Sequence, residues 1–202
     1  KRILTVGSYT TRNEYTTNSG QQATLQETIG DLSSFSSYGP TVDGRMKPNI
    51  TAPGCFIISA VSNNDASGNL MYAEYNENFG RYNQYGYMQG TSMACPHVSG
   101  VAALGLSYAA QLRRHFTADE FKALLYQTTT PIDSYMTGLK NYYRYVADVG
   151  LNQPMQLTLA NSRTQMGTGQ VNAARLLNAV SGNGKQVSFP NLYISLGKEV
   201  KA

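Results

Sequence analysis

The segment Gly90-Thr91-Ser92-Met93-Ala94-Cys95-Pro96-His97-Val98-Ser99-Gly100 surrounds a serine with small residues and runs on into the apolar stretch Val101-Ala102-Ala103-Leu104. The pattern reads as a hydroxyl held at the mouth of a buried helix, with Pro96 in its opening turns. At a helix N-terminus the first backbone N–H groups lack intrahelical partners, and the dipole places partial positive charge there. A developing negative charge is stabilised at such a place. That suits a nucleophile whose attack on a carbonyl creates an oxyanion. An ordinary capped helix with a chance serine is the plainer alternative.

At these residues the chain resembles the subtilisin-like serine proteases, the subtilases, whose nucleophile segment reads Gly-Thr-Ser-Met-Ala-x-Pro-His-Val-x-Gly. Three further segments match that family in order. Leu32-Ser33-Ser34-Phe35-Ser36-Ser37-Tyr38-Gly39-Pro40 holds its Phe-Ser-x-x-Gly element. Lys47-Pro48-Asn49-Ile50-Thr51-Ala52-Pro53-Gly54 holds Lys-Pro-Asp-Ile-x-Ala-Pro-Gly, with Asn49 in place of the commoner aspartate. Gly167-Thr168-Gly169-Gln170-Val171-Asn172-Ala173 holds Gly-x-Gly-x-x-Asn-Ala, which opens the last catalytic-domain helix. The resemblance implies an α/β, three-layer subtilisin-like fold, a mainly parallel sheet with helices on both faces, incomplete at the N-terminus. It makes Ser92 the catalytic nucleophile and places Met88, Gln89, Gly90 and Thr91 on the substrate, with Met88 and Gln89 on the leaving-group side. It requires no cofactor. A structural calcium is possible by resemblance, with no site identified, and Asn49 weakens the one position that helps bind a cation in some members.

The elements that must position Ser92 follow from local patterns. Ile3-Leu4-Thr5-Val6-Gly7 reads as a buried parallel strand, and the polar residues 8–30 as loop. Pro48, Pro53 and Gly54 exclude helix and predict a turn into a strand Phe56-Ile57-Ile58-Ser59-Ala60. Residues 61–89 carry Tyr72, Tyr75, Tyr82, Tyr85 and Tyr87; a hairpin with half-exposed aromatics and an aromatic wall beside the substrate are both open readings. A long helix is predicted from Ser92 to about Arg113, roughly 33 Å, apolar all round and therefore buried. Thr117-Ala118-Asp119-Glu120 forms a capping box for a second helix, which ends before Thr128. Residues 133–165 are an insertion relative to compact subtilases, read as a surface flap. Gly182 breaks the last helix, and Val187 to Leu196 reads as the first strand of something further on. The expected domains are therefore 1–182, the C-terminal part of a subtilase catalytic domain, and 183–202, a linker with a possible following strand.

Composition narrows the class. With 41% hydrophobic and 14% charged residues in 202, the chain is globular and long enough for a sizeable core. The net charge of +4 is scattered, and only Arg113-Arg114 form a basic pair, which argues against a nucleic-acid patch. No run of about 18 apolar residues exists to span a membrane. No signal peptide opens the chain, and the resemblance alone implies a secreted or cell-envelope address. Cys55 and Cys95 are too few for a disulfide framework, and Cys95 is expected to pack as a small apolar residue.

A triad also needs a histidine base, an aspartate and an oxyanion hole. No aspartate here is followed by Ser-Gly or Thr-Gly, and the two histidines, His97 and His115, are followed by Val98 and Phe116 rather than glycine. Five residues of helix turn His97 about 140° away from Ser92, so it reads as structural. The chain is thus expected to supply the nucleophile but not the Asp and His, and to be silent alone. Its expected partners are polypeptide substrates and a covering chain, either the N-terminal part of the same protease or a second copy. A catalytically inactive subtilase-like binding module is the alternative. An α/β-hydrolase is excluded because no Gly-x-Ser-x-Gly occurs.

Overall fold

The computed structural model describes residues 3–16, 21–62, 70–77, 80–130, 140–146, 151–157 and 164–182. At its centre β1 (Val6–Thr10) pairs in parallel with β4 (Ile50–Cys55), Val6 opposite Ile50 and Ser8 opposite Ala52. A parallel bridge from Thr51 to Gln170 extends the pair on the far side of β4. The strand expected at residues 3–7 therefore starts three residues later and runs on through Gly7. That glycine is a packing device and not a terminator: a Cβ there would lie 3.0 Å from Pro48 and Thr51 side-chain atoms. Ile3, expected in the strand, is 77% exposed.

Pro53 and Gly54 do not form the expected turn but lie inside β4. The ladder shifts register between Tyr9 and Thr10 at that point, and a bulge is where a sheet tolerates proline. The turn falls at Phe56 instead, whose φ of 53° lies in the left-handed region. From there β5 (Ile57–Val61) enters an antiparallel sheet with β6 (Leu70–Asn76) and β7 (Arg81–Met88), in the order β5-β7-β6. Residues 8–30 are also not all loop: β2 (Glu14–Thr16) and β3 (Gln22–Thr24) form a short antiparallel hairpin. Within 133–165, β8 (Lys140–Val146) and β9 (Leu151–Leu157) pair antiparallel. Residues 187–196 lie outside the described residues.

Helix α1 (Thr91–Gln111) crosses this scaffold against both β1 and β4. Its buried residues Ala94, Val98, Gly105 and Ala109 recur at helical spacing and form one stripe. The stripe packs on Ile50 and Ala52 of β4, on Phe121 and Leu125 of α2 (Ala118–Gln127), and on Leu176 and Val180 of α3 (Ala173–Ser181). Burying each large apolar side chain contributes about 1.5–3 kcal/mol. The three helices thus share one buried cluster with Ile50 and Ala52 of β4. The expectation that α1 is buried all round is corrected: Leu104 and Leu106 are 44% and 47% exposed, because no described element covers that side.

The helix ends follow the sequence. Thr117 Oγ1 accepts from Glu120 N at 3.3 Å while Glu120 Oε2 accepts from Thr117 N at 2.7 Å, completing the capping box of α2. Asn172 caps α3 by accepting from Arg175 N at 3.0 Å. Gly182, at φ 71°, closes it. There Arg114 Nη1 donates to the Val180 carbonyl and ties the end of α1 to the end of α3.

Candidate active site

Gly90 is the cap of α1, at a φ of 150° that L side chains rarely adopt, and no side chain caps the helix. A glycine cap has no side-chain acceptor to offer, so no cap side chain engages the first N–H groups beyond it. Gly90 is itself clamped: its N–H donates to the Gly54 carbonyl at 2.8 Å, and its carbonyl accepts from Met93 N at 3.0 Å. A Cβ on Gly54 would come 2.7 Å from that Gly90 carbonyl oxygen, so the close approach of β4 to the start of α1 depends on Gly54. Ser92 follows two residues later and is exposed.

Ser92, Cys95 and Ser99 share one face of α1 by their spacing. They line a groove of about 1560 Å³ to which Leu4 and Val6 also contribute. Cys95 is therefore exposed and not packed as expected, because this face of the helix looks into the groove. Cys55 is buried, and both thiols are free. Thr91 lines the groove with Ser92, whereas Met88 and Gln89 lie outside its lining. Met88 is 51% exposed at the end of β7, opposite Ile57.

The groove is cationic at one end. Arg45, Lys47 and Lys122 line it, and no aspartate, glutamate or histidine does so among the described residues. Burial pushes the Lys47 ammonium below its usual pKa, with Arg45 and Lys122 adding like-charge repulsion. Sequence reasoning did not single out Lys47; its proline neighbours drew attention to backbone shape only. Its Nζ donates to Asn49 Oδ1 at 2.5 Å, and the same oxygen accepts from Thr5 N at 3.0 Å and Thr5 Oγ1 at 3.2 Å. An oxygen already holding three donors, one an ammonium, does not fit a metal ion. No group of metal-ligating side chains occurs among the described residues.

His97 is half-buried, and its Nδ1 lies 2.8 Å from the Met93 carbonyl oxygen. A carbonyl only accepts, so Nδ1 carries the proton and the ring is tied to its own helix. His115 is exposed beyond the C-cap Leu112. Neither histidine lines the groove with Ser92.

An exposed serine at a helix start with no side-chain cap can serve acyl transfer if a base reaches it. Comparison with known families matches residues 1–189 to the Subtilase family, Peptidase_S8, and the chain belongs to that family. It is similar to serine protease AprX of Bacillus subtilis, 40% identical over 125 residues that make up 62% of this chain and 24% of that protein. It is similar also to pyrolysin of Pyrococcus furiosus, 38% identical over 91 residues, 45% of this chain and 5% of that protein. The solved structure of patellamide maturation protease PatA aligns with 90% of this chain and 44% of its own, at 19% identity and a TM-score of 0.48. The chain thus spans about a quarter or less of these two curated relatives. No helix among the described residues is long and apolar enough to cross a membrane.

Proposed function

We propose that this chain is the nucleophile-bearing part of a subtilisin-like serine endopeptidase, with Ser92 forming the acyl-enzyme. The observation that carries the reading is Ser92 exposed at the glycine-capped start of α1, on the wall of an open groove. Ser92 Oγ attacks the scissile carbonyl, and the oxyanion that forms is held by the Ser92 N–H at the positive end of α1. The amine departs, and water releases the acyl group. Gly90 and Thr91 lie beside the peptide, with Met88 and Gln89 toward its leaving group. The base, its aspartate and a second oxyanion donor come from upstream sequence, whose strand fills the groove beside Leu4 and Val6. These 202 residues alone are then catalytically silent, because a serine without a base is a poor nucleophile. Residues 1–182 complete that catalytic domain, 183–202 lead out of it, and the parent protein acts outside the cytoplasm.

A second reading, a subtilase fold kept as a peptide-binding module without turnover, is favoured by the groove's lack of any carboxylate or imidazole among its described lining. One experiment separates the two. In the complete protein Ser92→Ala is expected to abolish peptidase activity without unfolding. The scale is about 10⁶ in turnover, the loss measured for the nucleophile of subtilisin itself. Near-wild-type activity in the variant refutes the nucleophile, and a complete protein that never labels with a fluorophosphonate probe supports the module. The 202-residue chain alone is expected not to label.

A further inference from the structure

Close to the start of α1 the interior is polar. Ser8, Thr10 and Ser33 are buried side by side. Ser8 Oγ and Ser33 Oγ lie 2.8 Å apart, and Thr10 Oγ1 lies 3.4 Å from Ser33 Oγ and 3.4 Å from Glu27 Oε2. Glu27 is half-buried, and its Oε1 accepts from Ser34 Oγ at 2.5 Å and from Ser34 N at 3.3 Å. The other end of this row meets the nucleophile segment. A Cβ on Gly54 would collide with both Ser8 Oγ and the Gly90 carbonyl oxygen, so those two oxygens share the space that Gly54 leaves open.

The row has a direction. A carboxylate only accepts, and a hydroxyl has one proton to give. Thr10 donates to Glu27, so Ser33 must donate to Thr10 and Ser8 to Ser33. The neighbouring Cys55 does not divert Thr10. Burial pushes the Cys55 thiol pKa up, its Sγ donates to Gln89 Oε1 at 3.6 Å, and sulfur is the weaker acceptor. The Ser8 proton is therefore committed to Ser33 and turned away from Gly90. The Gly90 carbonyl closes the first turn of α1, accepting from Met93 N at 3.0 Å and from Ala94 N at 3.3 Å. Another donor at that oxygen would compete with both.

We infer that Glu27 is a positioning residue for Ser92. Through Thr10 and Ser33 it holds the Ser8 hydroxyl away from the Gly90 carbonyl, and so keeps the first turn of α1 closed around the serine. The catalytic consequence rests on Ser92 as the acyl-enzyme nucleophile, whereas the order of the helix start does not.

The test uses the complete protease and two readouts, the rate of fluorophosphonate labelling and the hydrogen exchange of the Met93 and Ala94 amides. In Glu27→Gln the Ser34 N–H keeps the carboxamide oxygen on its own side, which turns the NH₂ toward Thr10. Thr10 then accepts, the row reverses, and the Ser8 proton is freed toward Gly90. Labelling is expected to slow about three- to tenfold, the scale of one hydrogen bond, and both amides to exchange faster. Adding Ser8→Ala removes the hydroxyl that turns, and is expected to restore both readouts. If Glu27 were merely structural, a second buried truncation would deepen the defect and not relieve it. Unchanged amide exchange in Glu27→Gln overturns the inference, and so does a double variant no better than Glu27→Gln. Should Glu27→Gln not fold, Thr10→Val keeps the shape and breaks the row. It is expected to show the same losses and the same rescue by Ser8→Ala, and their absence overturns the inference. Amide exchange that follows this pattern in a protease whose wild type never labels refutes the Ser92 reading instead.

Discussion

Helix α1 has two glycines five residues apart that meet opposite circumstances. A Cβ at Gly105 would lie 2.8 Å from Leu176 Cδ2 and 2.9 Å from Phe121 Cζ, whereas a Cβ at Gly100 meets nothing within 4 Å. The same contrast runs along the helix: Ala94, Val98 and Ala109 are buried, while Ser92, Cys95 and Ser99 line an open groove. One side of α1 is finished core and the other is a surface whose composition is still that of a core. A helix that is apolar on both sides is suited to packing on both. Ser92, the proposed nucleophile, lies exposed on the unfinished side.

The sharpest test of the finished side is Leu176→Ala. Leu176 is fully buried against Gly105, and the variant is expected to lose about 3 kcal/mol by urea unfolding. A loss below about 1 kcal/mol would mean that this side relaxes freely and is not a specific core. Gly105→Ala is next. It gains helix propensity, yet overpacking against Leu176 and Phe121 is expected to leave it less stable by about 1–3 kcal/mol. Gly100→Ala reverses the sign: in this chain it should stabilise by about 0.5–1 kcal/mol, since propensity acts alone. If the complete protease is instead destabilised by Gly100→Ala, the open side is filled there.

The smallest expected effect concerns the rim of the groove. Hydrogen bonding from Arg45, then from Thr41, lowers the Asp43 pKa to about 2. Because the folded value lies below the unfolded one, the contribution to stability is present above the ordinary carboxylate range and is lost as pH falls through about 2. Both partners are exposed, so the effect on stability is slight. An NMR titration should place the Asp43 midpoint near 2. A midpoint near 4 would show that Arg45 is not engaged and is available to the groove.

Ser92 was legible because eleven consecutive residues from Gly90 to Gly100 specify a helix mouth by type and order. Both ends of α1 fall within two residues of the expected ones, and the Thr117–Glu120 box and Gly182 act as written, because caps are local chemistry. The β2–β3 hairpin was missed because two three-residue strands of mostly polar residues show no periodicity. The exposure of Cys95, Leu104 and Leu106 was missed for a different reason. Hydrophobicity tells that a helix face wants burial, not whether its partner is present. The Cys55–Gln89 contact spans 34 positions and depends on the turn at Phe56, which no local pattern announces.

The long reach of β4 bears on how such a chain emerges from a ribosome. Asn49 N donates to the Thr5 carbonyl, while Thr51 N donates to Gly169 O at 2.9 Å and Val171 N to Thr51 O at 2.8 Å. Leu176 and Val180 complete the cluster around Ile50. The β6–β7 pairing is local and forms on the scale of microseconds, whereas the central pairings wait for segments far apart in sequence. Synthesis proceeds at about 5–20 residues per second, so α1, which can already meet β1 and β4, waits seconds for α3 to complete its cluster. Until then the Gly105 side of α1 lacks Leu176, and the apolar surface left open there is of the kind a chaperone covers.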